Sequence, residues 1–285
     1  MSEPSIRVAE IHRFPVKSMA GERIESASLD RLGIAGDRRY AVRDLDTGKV
    51  LSAKRPSVGR TLLNCGARTV GDAVMVRVGD HEFPVADTSA INTAINTALN
   101  DALSTALGVH AVLDGAPGTD EVYESYWPEM DGLALSDVTV DLPIAMSTEK
   151  GTFVDLAALH ILTTASLAHL RNLAPESMID VTRFRPSIVL DTGDVAPGFV
   201  ENGWVGRRAQ LGTAVIEFGT AAPRCVMTTL SQGDLPEDRD VMRTIADHNR
   251  QELAGFGEFA CLGIYAEVVE PGDARVGDEC TLLPE

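Results

Sequence analysis

Arginine, cysteine and two threonines stand close together in Arg224-Cys225-Val226-Met227-Thr228-Thr229. A thiolate is a nucleophile and a soft-metal ligand, and a neighbouring guanidinium favours it over the thiol. About forty residues earlier, Arg183-Phe184-Arg185-Pro186-Ser187 places two arginines ahead of the apolar run Ile188-Val189-Leu190. Charged groups at the edge of a core strand need an assigned partner. Cys261 sits in the apolar run Phe259-Ala260-Cys261-Leu262, as a structural cysteine would, whereas Cys225 lies in polar sequence. The chemistry suggested is metal ligation or reactivity at Cys225 beside a locally held anion.

Two further segments offer cations at defined places. In Phe14-Pro15-Val16-Lys17-Ser18, Pro15 restricts its neighbours to extended backbone, so Lys17 and Ser18 follow a rigid strand end. An ammonium beside a hydroxyl and a free N–H grips phosphate; a solvated surface lysine is the plainer reading. In Gly36-Asp37-Arg38-Arg39-Tyr40, neighbouring strand residues point to opposite faces, so one of Arg38 and Arg39 faces a site while Asp37 orients it. A surface Asp–Arg pair is the alternative there. Thr163-Thr164-Ala165-Ser166 reads as a helix start, which either binds an anion or caps the helix. The six histidines are scattered, and there is no HExxH, GxGxxG, GxxxxGK[ST] or GxSxG. Conventional zinc, Rossmann, P-loop and α/β-hydrolase chemistry are thereby disfavoured.

Composition sets the outer limits. A chain of 285 residues with 44% hydrophobic content suits two soluble domains. The net charge of -17 argues against a nucleic-acid partner, so any anion pocket must be local. Four cysteines without a CxxC pair argue against a disulfide framework or structural zinc site and point to a reducing compartment. The start lacks a signal-peptide pattern, and no apolar run is long enough for a membrane span. The expected location is the cytoplasm.

The elements that must position these residues are mostly strands. Residues 5–86 read as short strands broken by turns, which suggests a small barrel or sandwich. Ile91, Ile95, Leu99, Leu103 and Leu107 predict a helix over 88–107, with Asp87, Thr88 or Ser89 capping it and Gly108 ending it. Residues 114–135 form the expected boundary or crossing loop. Beyond it, Ala158 to Leu162, Ile188 to Leu190, Ala214 to Phe218, Gly263 to Val269 and Cys280 to Leu283 read as strands. The strand before Cys225 is expected to end near Gly219. Thr163-Thr164 caps a helix carrying Leu167, Leu170 and Leu173, and Pro236 starts a second through Val241, Ile245 and His248.

Taken in order, these pieces resemble the two-domain MOSC proteins, the group that includes the amidoxime-reducing components and the C-terminal part of molybdenum cofactor sulfurases. Phe-Pro-Val-Lys-Ser at 14–18 looks like the family's N-terminal signature. Phe184-Arg185-Pro186-Ser187 looks like its Arg-Pro-Asn segment, and Arg224-Cys225 like its cysteine loop; Pro271-Gly272 and Val276-Gly277-Asp278 resemble its closing strands. The resemblance implies a mainly β chain with some α: a β-barrel-like domain over 5–120 packed on a MOSC β-barrel domain over 121–285, with short flanking helices. It also implies a molybdenum–pterin cofactor. Cys225 would ligate the metal, and Lys17, Ser18, Arg38 and Arg185 would contact the phosphate and pterin. Thr164, Ser166, Arg183 and Thr228 count as further cofactor contacts. Arg224 would act beside the metal, on the thiol or on substrate. Ser187 stands where the family commonly has Asn, and Pro223 where the amidoxime reducers have serine.

The implied activity is reduction of small N-hydroxylated compounds. No ferredoxin-like iron–sulfur tail and no pyridoxal phosphate domain is visible, so electrons would come from a separate cytochrome- or ferredoxin-type protein. The rival expectations are a carrier that hands the cofactor or its sulfur on without turnover, a metal-free enzyme carrying persulfide on Cys225, and a plain phosphate-binding β protein.

Overall fold

Strands outweigh helices throughout the described residues (5–86, 96–115, 117–118, 120–126, 139–253 and 255–284) of the computed structural model. This is the α+β class the sequence predicts. Among those residues one nine-stranded sheet accompanies four small sheets of two or three strands.

The first half begins with β1 (Arg7–Arg13), β2 (Glu22–Ile24), β3 (Ser26–Asp30), β4 (Gly33–Ile34) and β5 (Ala41–Asp44). After a single helical turn, α1 (Pro56–Gly59), come β6 (Gly66–Val70), β7 (Ala73–Val78) and β8 (His81–Val85), a meander turning at Gly71 and Gly79. Helix α2 (Thr97–Leu107) ends as predicted at Gly108, whose φ of 70° suits a residue without Cβ. Its expected start, with Asp87, Thr88, Ser89, Ile91 and Ile95, lies outside the described residues. Leu99 and Leu103 bury against Val42, Leu62, Val76 and Leu113, the last on β9 (Ala111–Asp114). Strand β10 (Val122–Tyr126) then pairs with β11 (Thr139–Pro143). Within the expected boundary loop, only part of residues 114–135 is described.

The second half is organised by β12 (Leu159–Thr163), α3 (Thr164–Leu173) and β13 (Ile188–Asp191). The two strands are parallel, so α3 provides the crossover. Side chains alternate along them: Leu162 and Val189 face Leu167 and Leu170 of α3, whereas Ile161 and Ile188 join a second core on the other face. Burial on both faces accounts for their uninterrupted apolar sequence. Thr163 caps α3, its Oγ1 accepting from Ser166 N at 3.1 Å.

Strands β14 (Arg208–Leu211) and β15 (Ala214–Pro223) follow, then α4 (Asp240–His248), β16 (Arg250–Leu253), β17 (Gly257–Glu270), β18 (Gly272–Arg275) and β19 (Cys280–Leu282). Two boundaries differ from expectation. Strand β15 continues past Gly219 to Pro223 through irregular pairing with β17, delivering Arg224 and Cys225 at its very end. Helix α4 starts at Asp240 rather than Pro236. Pro236 O accepts from Arg183 Nη2 at 2.8 Å and Asp238 N donates to Thr229 O at 2.8 Å, so tertiary bonds hold that approach outside the helix.

The sheets do not follow a division at residue 120. Strand β1 pairs with β13, and β3 with β18, so the first strands lie in sheets of the second half. Ala53 and Leu63 also pack with Met227 and Leu230, which brings the halves together at the cysteine loop. Among the described residues, no helix is long and apolar enough to cross a membrane.

Candidate functional site

A cleft lies where the two halves meet. Five cationic side chains line it, Lys17, Arg38, Lys54, Arg185 and Arg224, against one lining carboxylate, Asp155. In a chain of net charge -17 this is a strong local reversal of sign.

The Phe14 ring is the platform for two of them. The Arg185 guanidinium carbon lies 4.2 Å from its centroid and that of Arg38 4.9 Å, so both guanidiniums are oriented by cation–π contact. Asp37 braces the same corner, accepting from Phe14 N at 2.6 Å and pairing with Arg38. Arg38 faces the cleft, while Arg39 is exposed with its guanidinium 5.5 Å from the Tyr40 ring. Arg185 Nη1 donates to Met19 O at 2.6 Å, tying the second half to the first. Burial, then the charge of Arg38, pulls Arg185 down to about 9, which leaves it cationic at neutral pH.

Backbone strain gathers at the same place. Five non-glycine residues among those described have positive φ, and Ser18 (66°), Arg38 (46°) and Arg185 (53°) all line the cleft. Such conformations cost on the order of 1 kcal/mol each and persist where surrounding structure imposes them.

Lys17 Nζ donates to Phe153 O at 3.0 Å and pairs with Asp155 Oδ1. Lys54 Nζ lies 3.0 Å from Asp155 Oδ2 and 3.1 Å from the Tyr123 hydroxyl. Burial works against ionisation of Asp155, but the two ammonium groups outweigh it and hold the carboxyl well below its usual range. Burial outweighs Asp155 at Lys17 and brings that ammonium down to about 8.

Cys225 stands directly beyond β15 in extended conformation, opening the 3-10 turn Val226–Thr228. It is half-buried, whereas Cys65, Cys261 and Cys280 are buried. Thr228 closes the turn, its N–H and Oγ1 donating to Cys225 O at 3.2 and 3.0 Å. Arg224 Nη2 donates to Phe184 O at 2.7 Å. His160 Nε2 is 3.1 Å from Leu262 O and 3.4 Å from Arg224 Nη1. Burial and then Arg224 push its pKa well below the usual value, so the imidazole is neutral. Tyr265 stands edge-on to it at 5.7 Å between ring centroids.

The cleft therefore gathers Lys17, Ser18, Arg38, Arg185, Arg224 and Cys225. Four other expected contacts lie elsewhere. Thr164 Oγ1 meets Asp191 and Thr192, and Ser166 Oγ donates to Glu201 Oε2 at 2.6 Å, so the start of α3 is consumed by capping and buried polar bonds. Thr228 is buried beneath the cysteine turn. Arg183 is fully buried, donating to Met178, Leu230, Thr228 and Pro236 carbonyls. The sequence reading missed Lys54, Asp155, His160 and Tyr265. No spacing marks them, and an unexplained carboxylate two residues past Phe153 was the one available hint.

A mixed β fold places a cationic cleft around one half-buried thiol where the two halves meet. Residues 5–122 match the MOSC N-terminal beta barrel domain and residues 148–281 the MOSC domain. The chain belongs to the two-domain MOSC proteins. It is 24% identical over 290 residues to mitochondrial amidoxime reducing component 2 of Bos taurus, covering 95% of this chain and 81% of that one. It is 28% identical over 139 residues to mitochondrial amidoxime-reducing component 1 of Mus musculus, covering 47% of this chain and 39% of the relative. Among solved structures, the YuaD protein of Bacillus subtilis overlaps with a TM-score of 0.42 at 9% identity, across 98% of this chain and 95% of that one.

Proposed function

We propose that the chain binds a molybdenum–pterin cofactor in this cleft and reduces N-hydroxylated compounds with electrons from a separate redox protein. One observation carries the reading: the cleft that holds Cys225 is lined by Arg185 and Arg224, each of which keeps one buried guanidinium nitrogen without a partner, Nη2 and Nε respectively. A buried donor left unmade costs about 1–3 kcal/mol, and an anion seated between them would recover it. The donor set fits the group. Among the described residues no cluster of three or more His, Cys, Asp or Glu could hold a metal, so a metal meeting Cys225 must bring its other ligands with it. The cofactor's own sulfurs do this, and its phosphate requires the cations present.

In this reading Lys17, Ser18, Arg38 and Arg185 hold the phosphate and pterin, and Cys225 ligates the metal. When bound, the cofactor supplies two-electron chemistry at an N–OH oxygen. Phe14 fixes the two stacked guanidiniums before anything arrives, so little ordering entropy is lost on binding. Tyr265 and the neutral His160 shape the wall beside Cys225. The names of the relatives support the substrate class.

The test is molybdenum content by elemental analysis, together with benzamidoxime reduction by an artificial donor, on full-length protein from a cofactor-producing host. About one molybdenum per chain with turnover is expected, and Cys225→Ala should abolish turnover while leaving the fold intact. Full activity in that variant rejects the assignment. Stoichiometric molybdenum without turnover would instead indicate a carrier.

A further inference from the structure

We infer that Arg183, which does not line the cleft, is the positioning residue that holds Cys225 in it. The inference rests on Cys225 being the reactive group proposed above, though not on which metal it meets. Arg183 heads the fully buried side chains of the described residues by volume, yet no carboxylate there pairs with it. Asp238 and Asp180 act on it only through space, without a direct ion pair, so nearby dipoles must replace the lost water. Here four carbonyls do so. Nε donates to Met178 O at 2.9 Å, Nη1 to Thr228 O and Leu230 O at 3.3 Å each, and Nη2 to Pro236 O at 2.8 Å.

Three of those four acceptors belong to the segment that follows Cys225. That segment consists of one 3-10 turn and the isolated Gln232–Leu235 bridge, so it has no strand ladder of its own. Thr228 is the link: its carbonyl takes Arg183, while its N–H and hydroxyl both bond Cys225 O. From the guanidinium to the thiol residue there is one intervening residue. Gln232 adds a second tie by donating from Nε2 to Met227 O at 2.9 Å. The tripeptide Arg183-Phe184-Arg185 acts on three parts of the site. Arg183 holds the cysteine segment, Phe184 O receives Arg224 Nη2, and Arg185 projects into the cleft. Arg183 ends the 3-10 turn Val181–Arg183, and Arg185, two residues on, has a positive φ of 53°.

Thiol reactivity reads this directly, because Cys65, Cys261 and Cys280 are buried and report global opening. The full-length chain is made in a host without the pterin cofactor, so Cys225 is free in every variant. Iodoacetamide labelling is then followed at each cysteine by mass spectrometry. Arg183→Met removes all four donors while keeping apolar bulk, and Cys225 should label about tenfold faster with the other three unchanged. Arg183→Lys reaches only part of the acceptors and should fall between the two. Unchanged labelling of Cys225 in the Met variant overturns the inference. So does acceleration of all four thiols together, which would make Arg183 a general stabiliser. Should wild-type protein from a competent host hold no molybdenum, the functional reading fails while the labelling contrast still stands or falls by itself.

Discussion

Arg185 shows how one residue can be both strained and useful. Arg185 combines a positive φ, a buried guanidinium and a nitrogen with nothing to bond, a combination that stability alone would not keep. Lys17 gives the cleft a titration. Its folded pKa, about 8, lies below the ordinary 10.5, so its charge is nearly complete a pH unit below 8 and is lost as pH rises through that value. Sulfate keeps constant charge over this range, and its affinity should fall as pH rises from about 7 to 9. Lys17→Arg should remove that step. Calorimetric titration at several pH values checks it, and a pH-independent wild-type affinity would exclude Lys17 from the anion site. At this scale the sequence was a partial guide. Its cationic points and its cysteine share one cleft, because each sits next to a break that limits where its side chain can go. Arg185, the arginine singled out from the sequence, lines the cleft, whereas Arg183 is buried on backbone carbonyls. Lys54, Asp155, His160 and Tyr265 carry no local mark, since only tertiary packing brings them to the cleft.

Strand β17 controls the element scale through a single glycine. Gly263 has φ 83°, and a Cβ there would meet His160 Nε2 and stand 2.6 Å from Ile161 O on the neighbouring β12. Neither neighbour can yield without parting the two strands, so Gly263→Ala should cost about 2–3 kcal/mol in urea denaturation. A neutral result would mean that the β12–β17 contact is slack. Elements whose determinants are local were legible. The α3 cap follows from Thr163 alone, and the end of α2 from Gly108. Elements whose ends are claimed by distant partners were not. Pro236 has the right chemistry to open a helix, yet its carbonyl is taken by Arg183, and β15 outruns Gly219 because β17 continues to pair with it.

For the whole molecule, the Lys17–Asp155–Lys54 triplet is an ionic joint between the halves. Asp155→Asn would leave two buried ammonium groups without their anion, a loss of about 3 kcal/mol at neutral pH. The sign with pH is fixed by the depressed folded pKa of this carboxyl. Its contribution is fully present above the ordinary value of 3.8 and is lost as pH falls below it. Denaturation curves of the wild type and the Asn variant should therefore differ at pH 7 and converge in acid. A constant difference across that range would show that charge is not what Asp155 contributes. The class of the fold was readable from strand-like runs and turn residues. Which strands share a sheet was not, because pairing across such distances leaves no periodic trace in the chain.

The antiparallel seam between β1 and β13 also constrains how the protein is born. Ile11 is paired with Ile188, so the ribosome must deliver 177 further residues before that partner exists. At ordinary elongation rates this is a wait on the order of ten seconds or more, with the leading strand exposing an unsatisfied edge. Completion of the nine-stranded sheet is thus a late event, and nascent chains stalled before β13 are the natural clients of chaperones.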